Sequence, residues 1–564
     1  MQTETNPCKG PVPIVIGVTG HRHIDAEQSL SLKSKVCEML TTIKSKYADS
    51  DIILMSGLAI GADTICAEAA IETGCKLLAP LPMERAEYSK DFPAEELIKF
   101  NILADSAEDA FSVSPSFDSA SSRDDYYVNL GVYLTKHSHL LLALWDGNES
   151  NLLPGSTSDV VRMAREKNDD MRKDPLSIAA AIPVLQLATN RANDPLSKSG
   201  ELFLYNVDET KTGIEKFEGV ALFDKINAFN SECIKRSDII EKNRSASIES
   251  CIKNYDISKI KNGKKVLNAF VAADVLSIFS QKKRNDAIRN ISLVALGIVL
   301  AFLLYDSIDS FTSLIVYGLL MIISATIYVV VRRRMWHEQY LLYRALAESL
   351  RIQLYMCIAG IEHSAYIPTW RLDDNLLFVL NSTKNFAVPI EGDDGIETIK
   401  ECWIKDQLNY HGKSAINKRK KLSINDNLTN TLLVIAILFY FLVLIFEIAL
   451  PAVMAAEIVD FAMTSFPAVG ILTVKGLLKI ILGILFAGVA FIANYFGKHA
   501  LPEKIDNDEK LGALFELASI ELEAHKDDIS YTRAILVSLA NTHVEEVINW
   551  YVYNAKNSPE LTLC

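Results

Sequence analysis

Four long apolar stretches after residue 285 constrain what this chain can fold into. They span residues 291–305, 312–331, 428–450 and 476–496. A helix rises about 1.5 Å per residue and needs about 20 residues to cross the hydrocarbon layer of a bilayer, and the second and third stretches meet that length. The first is short enough to suit a buried core helix as well, but the acidic link 306–311 ties it closely to the second. We therefore predict a membrane hairpin followed by two further transmembrane helices.

Basic side chains flank one end of every apolar stretch. They are Lys282, Lys283, Arg284 and Arg289 before the first, Arg332, Arg333 and Arg334 after the second, Lys418, Arg419, Lys420 and Lys421 before the third, and Lys498 after the fourth. The opposite ends carry the acidic residues Asp306, Asp309, Glu447, Glu457 and Asp460. Because basic residues accumulate on the cytosolic side of membrane proteins, the pattern predicts that both termini and the segment 332–427 are cytosolic.

The outer loop before the fourth stretch has two interpretations. Residues 461–474 are apolar but interrupted by Pro467 and Gly470, which suits either a re-entrant segment or an extension of the fourth helix. Lys475 and Lys479 follow, four residues apart on one helical face at the predicted outer end. Their ammonium groups either reach towards lipid headgroups or line a water-filled pore in an oligomer.

The charge and cysteine content of the chain disfavour some classes of binding partner and site. The chain has 57 basic and 70 acidic residues and a formal net charge of -13, which disfavours a nucleic-acid polymer as the partner. Its nine cysteines are scattered, with no CxxC pair and no Cys/His cluster at zinc spacing, so we predict neither a disulfide framework nor a metal site. The first ten residues lack the basic and apolar regions of a secretory signal, so we expect the N-terminal domain to stay in the cytosol.

Residues 11–191 alternate between strand and helix patterns. Strands are predicted at 13–20, 51–57, 75–82, 139–147 and 183–191, and helices at 26–47, 62–73 and 159–167. This alternation predicts a parallel α/β sheet. Ligands of such sheets bind beyond the carboxyl ends of the strands.

Three of those predicted strand ends carry residues suited to a phosphate. The first has Thr19, Gly20, His21 and Arg22, the second has Ser56, Gly57, Gly61 and Asp63, and the third has Gly155, Ser156 and Thr157. Glycines allow close backbone approach, hydroxyl and cationic groups donate to anions, and free helix N-terminal amides bind phosphate. Asp63 suits either a ribose hydroxyl or a helix cap. Together the three ends predict nucleotide binding rather than plain turn chemistry.

The motifs VTGHR, SGLAIGAD, WDG, GSTSDVV and a late strand ending in TNR resemble the SLOG superfamily over roughly residues 11–195. The second half, including YRALAESLRIQ at 343–353, resembles the transmembrane modules that accompany SLOG domains. The resemblance implies a Rossmann-like α/β N-terminal domain joined to an all-α membrane region with four transmembrane helices and cytosolic helical extensions. It also implies nucleotide signalling in anti-phage defence at the bacterial inner membrane.

One departure from that superfamily bears on catalysis. Its phosphoribohydrolases carry PGGxGTxxE, whose glutamate takes part in glycosidic cleavage. This chain has PGSTSDVV, with Val160 and Val161 where an acid is needed. We therefore expect binding without turnover and assign no catalytic residue, although Asp63 or Asp159 remains a possible substitute.

The segments between these regions yield further predictions. Residues 211–259 are predicted to be polar and irregular, 266–279 to be a helix leading into the first span, and 509–553 to be an amphipathic helical pair. Arg344, Glu348 and Arg351 share one helical face, either as an exposed ladder or as a buried network at a subunit contact. The predicted domains are 1–195, 196–286, 287–331, 332–427, 428–497 and 498–564.

Three function classes follow from the sequence. In the first, a nucleotide second messenger or ADP-ribose-type ligand gates a homo-oligomeric transmembrane pore or a membrane-disrupting assembly, with no cofactor or metal. In the second, the chain is a membrane-tethered nucleotide N-glycosidase or phosphoribohydrolase. In the third, it is a metabolite-regulated transporter or scaffold. The missing glutamate and the use of both halves of the chain favour the first class.

Overall fold

The computed structural model describes residues 9–114, 122–149, 153–165, 182–190, 199–206, 210–252, 263–308, 311–361, 374–384, 395–453, 474–497 and 501–556. The chain divides into two compact units. The α/β unit comprises Met1–Leu276, Leu342–Ile399 and Asp527–Tyr551. The span unit comprises Ser277–Leu341, Lys400–Lys526 and Val552–Cys564.

An eight-stranded sheet is the centre of the α/β unit. Its strands are β1 (Ile14–Gly20), β2 (Ile52–Met55), β3 (Lys76–Leu81), β4 (Asp109–Ser112), β5 (Leu140–Trp145), β6 (Val184–Ala188), β7 (Leu202–Tyr205) and β8 (Lys211–Ile214). Their order across the sheet is β4-β3-β2-β1-β5-β6-β7-β8. The prediction of an α/β sheet domain is confirmed.

The sheet is mixed, whereas the sequence predicted a parallel one. Strands β1 to β6 run parallel, but β7 pairs antiparallel with β6 and β8 pairs antiparallel with β7. The polar sequence KTGI of β8 is mostly exposed, as suits an edge strand, and carries little strand signal. By contrast, the central strand β5 reads LLLALW and is buried along its whole length, because helices cover both faces of a parallel sheet.

Helices connect the parallel strands. They are α1 (Ala26–Lys46), α2 (Ala62–Glu72), α3 (Arg85–Tyr88), α4 (Ala94–Ser106), α5 (Arg123–His137) and α6 (Thr157–Arg165). Helix α5 begins with a reciprocal cap, in which the Ser122 side chain accepts from the Asp125 amide and the Asp125 side chain accepts from the Ser122 amide.

The prediction of an irregular segment at 211–259 is wrong over residues 211–252, and residues 253–259 lie outside the described residues. After β8 the chain forms α7 (Ala221–Lys235) and α8 (Ser237–Cys251). On α7 the buried residues Phe223, Ile226, Phe229 and Cys233 recur every three or four positions, which is the spacing of a helix with one apolar face. The many charged residues between them obscured that period.

The remaining helices include the predicted spans. They are α9 (Gly263–Ile308), α10 (Phe311–Arg334), α11 (Trp336–Ile358), α12 (Asp374–Lys384), α13 (Ile396–Ile399), α14 (Asp406–Val453), α15 (Val474–Gly497), α16 (Leu501–Ala524) and α17 (Ile529–Lys556), with a π-helical turn at Lys400–Lys405. Four of these segments are long and apolar enough to cross a membrane, as predicted. The first is not a buried core helix, because Leu293 and Phe302 are more than half exposed.

The predicted helix at 266–279 is confirmed as part of α9, which is continuous with the first apolar stretch. The chain passes from the α/β unit to the span unit inside α9, after Leu276. The predicted amphipathic pair is also confirmed as α16 and α17. The outer-loop residues 461–473 lie outside the described residues.

Candidate functional site

A cleft of about 930 Å³ opens in the α/β unit at the carboxyl edge of the sheet. Its walls include residues that follow β1, β2 and β5, together with one face of α5. The strands that follow β1 in sequence extend to one side of it, and β5 returns to pair with its other side. The cleft therefore lies at a topological switch point, the usual ligand position in open α/β sheets, and its volume suits a small-molecule ligand.

The end of β1 contributes Thr19, Gly20, His21 and Arg22 to the cleft, as the sequence grouped them. The His21 ring is nearly buried, and its Nε2 accepts a hydrogen bond of 3.0 Å from the Asp146 amide. Because that nitrogen is an acceptor, the neutral ring carries its proton on Nδ1. The Arg22 guanidinium lies 4.7 Å from the centre of the Tyr127 ring, a cation–π distance that fixes its position in the cleft.

Glycine at position 20 is explained by packing alone. A Cβ there would lie 2.3 Å from the Ala62 Cβ and 2.7 Å from the Leu144 carbonyl oxygen. Any residue with a side chain would therefore push apart the ends of β1 and β5.

The loop after β2 packs against the backbone that follows β1. Ser56, Gly57 and Gly61 do not line the cleft, whereas Asp63 does. Gly61 has a φ of 91°, and a Cβ there would lie 2.4 Å from the His21 carbonyl oxygen. The Ala62 amide donates to that same oxygen at 3.0 Å. The loop thus holds the backbone of His21 in place, and only glycine allows the approach.

Asp63 is the buried acid of the cleft. Its carboxylate accepts a hydrogen bond of 3.4 Å from the Ala59 amide. Burial raises the pKa of Asp63 to about 7, although the amides of Ala59 and Gly57 and the charge of Arg22 favour the ionised form. Asp63 is therefore close to half-protonated at neutral pH.

The residues after β5 form the N-terminus of α6. Gly155, Ser156 and Thr157 line the cleft. The Ser156 hydroxyl accepts from the Asp159 amide at 3.3 Å, and the Asp159 carboxylate accepts from the Gly155 amide at 3.0 Å. Asp159 also pairs with Arg162 at 2.6 Å. These bonds commit Asp159 to the helix start, so it is not placed as a catalytic acid.

Sequence reasoning missed the contribution of α5. Tyr127 and Asp124 line the cleft together with Tyr88. The Tyr127 hydroxyl donates to Asp91, which also accepts from Arg123 at 2.7 Å, so the ring that carries Arg22 is itself held in place. The aromatic pair in RDDYYVNLG was the available signal, but the sequence does not tell which helix faces the strand ends.

The sequence also singled out charged residues on α11 and two lysines near the start of α15. Glu348 on α11 is buried and pairs with Arg344 and Arg351, and Arg344 lies 3.7 Å from Asp274. This is the buried network rather than the exposed ladder, and its place at a subunit contact remains a prediction. Lys479 on α15 is exposed, whereas the side chain of Lys475 lies outside the described residues.

Within the part of the chain that the structure describes, no group of three or more histidine, cysteine, aspartate or glutamate side chains could hold a metal ion. No protein-family profile matches the chain, and no curated protein matches its sequence.

Proposed function

We propose that the α/β unit binds a nucleotide-derived ligand in the cleft and that binding changes the state of a homo-oligomeric membrane assembly built from the four apolar helices. The observation that carries the proposal is the convergence of Arg22, His21 and the N-terminus of α6 at the switch point. The Arg22 guanidinium and the amides at the N-terminus of α6 suit phosphate oxygens.

Ligand binding is tested with the full chain in detergent micelles and a panel of ADP-ribose-type, cyclic and linear oligonucleotide ligands. Arg22→Ala is expected to weaken binding by about 1.5 to 3 kcal/mol, because a charge-assisted contact to phosphate is lost. Arg85→Ala is the matched control, since Arg85 pairs with Asp105 at 2.7 Å and does not line the cleft. Equal affinity of the Arg22→Ala and native chains would remove Arg22 from the site.

A hydrolytic function is the second candidate, because the pKa of about 7 at Asp63 is suited to a general acid. The same incubations, followed by mass spectrometry, separate the two candidates. Intact bound ligand supports a sensor. Release of a free base by the native chain, abolished in Asp63→Asn, supports a nucleotide N-glycosidase and contradicts binding without turnover.

The membrane step is tested by solute flux from liposomes that hold the full chain. A ligand alters flux only if it binds two conformations with unequal affinity, and a hundredfold shift requires about 2.7 kcal/mol. We expect ligand-dependent flux in the native chain and an altered anion preference in the Lys475→Gln/Lys479→Gln chain, with Lys510→Gln as a control. If no ligand that binds the cleft changes flux, the gated assembly is wrong.

The proposed topology has both termini and 332–427 in the cytosol, at the inner membrane of a bacterium engaged in anti-phage defence. It rests on the basic flanks and on the resemblance to SLOG proteins with their membrane modules. Ser307→Cys is expected to react with a membrane-impermeant maleimide in intact cells, whereas Lys420→Cys is not. The native chain gives the background, and external labelling of Lys420→Cys would contradict the topology.

A further inference from the structure

Cationic side chains from three helices cluster inside the span unit. Arg284 lies on α9, Lys418 on α14 and Lys504 on α16, and the charges of Arg284 and Lys418 both act on Lys504. Lys418 has a partner, because its ammonium lies 2.5 Å from the Asp508 carboxylate. The other two cations differ from it in this respect.

Arg284 and Lys504 have no carboxylate within ion-pair distance among residues 9–556 that the structure describes. Both side chains are only partly exposed, and the Nε of Arg284 is buried without a hydrogen-bond partner in the described chain. The Arg284 guanidinium lies 5.7 Å from the centre of the Tyr340 ring, which supports it on one side. A buried charged donor without an acceptor is costly, so the arrangement favours an anion.

A second unpartnered polar atom lies on His337, whose ring is close enough to Arg284 for the arginine charge to act on it. His337 Nε2 faces the Asn554 carbonyl oxygen at 3.3 Å and donates to it, which leaves Nδ1 as the free position of the ring. That Nδ1 is buried and has no hydrogen-bond partner in the described part of the chain. Burial and then the charge of Arg284 lower the pKa of His337 to about 4, so its ring is neutral and the positive charge of the cluster comes from Arg284 and Lys504.

The positive charge of the cluster changes the pKa of Lys504. Burial, followed by the charges of Arg284 and Lys418, lowers the pKa of Lys504 to about 8, and neighbouring Glu503 opposes the change only in part. Lys504 therefore holds its proton weakly in the absence of a counter-charge, and a bound anion would restore it.

The position of the cluster identifies the source of the anion. Arg284 precedes the first apolar stretch by seven residues, and Lys504 follows the fourth by eight. At about 1.5 Å per residue, Arg284 lies about 10 Å along α9 from the apolar segment, which is the depth of phospholipid headgroups once a long side chain is extended, and Lys504 lies in the first turn of α16. Basic pockets between membrane helices bind anionic headgroups in this zone.

We propose that Arg284 and Lys504, with His337 beside them, form a phosphate-binding site for the headgroup of an anionic phospholipid. The guanidinium and ammonium donate to the phosphate oxygens, and the lipid chains extend along the exposed apolar helices. The site is separate from the nucleotide cleft and does not depend on the function proposed for it.

The test compares the full chain in phosphatidylcholine vesicles with and without phosphatidylglycerol. The native chain is expected to unfold at a higher temperature when phosphatidylglycerol is present, and native mass spectrometry is expected to retain it at a defined stoichiometry. Arg284→Gln and Lys504→Gln should each weaken that retention at least tenfold. Lys282→Gln, an exposed change of the same charge on α9, should behave as the native chain does.

The variants also separate binding from a merely structural role. In pure phosphatidylcholine, removing one of two repelling cations should leave the unfolding temperature unchanged or raised, whereas a structural role predicts a fall in both vesicles. Arg284→Lys keeps the charge and should retain the lipid. Native-like retention by Arg284→Gln and Lys504→Gln together would overturn the site. Stabilisation by inorganic phosphate in phosphatidylcholine, with no preference for phosphatidylglycerol, would overturn the assignment to lipid.

Discussion

Strand β5 and helix α10 are both rich in apolar residues, but their side chains have opposite surroundings. All six residues of β5 are buried, whereas Ile322 in α10 is 65% exposed and Leu438 in α14 is 64% exposed. A six-residue apolar run bounded by turns can be buried completely in the interior of the α/β unit. A run of 20 apolar residues is long enough to cross a bilayer, and many of its side chains are exposed in the part of the chain that the structure describes.

The two units also treat buried charge differently. In the α/β unit, Glu348 is placed between two arginines, so its charge is compensated within the chain. In the span unit, Arg284 has no carboxylate within ion-pair distance among the described residues, and its guanidinium lies against the Tyr340 ring. The comparison indicates that the charge of Glu348 is compensated within the chain, whereas no carboxylate among the described residues compensates Arg284.

The largest expected effect comes from truncating leucine in each region. Leu142→Ala in β5 should lower the free energy of unfolding by about 2 to 5 kcal/mol, because the side chain is fully buried and leaves a cavity. Leu438→Ala should cost less than about 1 kcal/mol, since lipid replaces the lost methyl groups. Thermal unfolding in phosphatidylcholine vesicles measures both. A loss at Leu438 as large as that at Leu142 would contradict a lipid-facing surface.

Alanine substitution at one glycine from each region should give a smaller difference in stability. Gly61→Ala should cost about 1 to 3 kcal/mol, because a residue with a side chain is strained at a φ of 91° and its Cβ would meet the His21 carbonyl oxygen. Gly318→Ala in α10 should be neutral or stabilising by up to about 1 kcal/mol, since nothing lies within 4 Å of the added Cβ. The unfolding temperatures of the two variants measure this difference. Equal values would show that the loop relaxes around the added methyl group.

The sequence predicted those features that depend on local pattern. The apolar stretches, the strands β1 and β5 and the cleft residues Thr19 to Arg22 follow from run length and from the position of glycines at strand ends. Strands β4 and β8 could not be predicted, because each has four residues with little apolar character and depends on its neighbour for pairing.

The candidate site was predictable in its strand ends but not in its helix. Nothing in the residues of α5 indicates that Tyr127 lies against Arg22, because that contact depends on how α5 packs over β1. Likewise, Gly61 was expected to meet a ligand, yet its closest neighbours are the carbonyl oxygens of His21 and Arg22. Glycines needed by the backbone and glycines needed by a ligand have the same sequence signal.

The smallest expected effect concerns Asp63 and pH. The pKa of Asp63 is about 7 in the folded chain, against 3.8 for an ordinary aspartate, so its contribution to stability is full below pH 4 and is lost as the pH rises through 7.

An ionised Asp63 in the cleft also repels an anionic ligand. If only the protonated form binds, affinity should fall about tenfold from pH 6 to pH 8, or about 1.4 kcal/mol. Because other polar groups also line the cleft, the measurement is the difference between the native chain and Asp63→Asn. Calorimetric titration at both pH values should give the steeper fall in the native chain, with Asp124→Asn as the control from the same cleft. Identical pH profiles for the native and Asp63→Asn chains would show that the bound ligand does not sense this carboxylate.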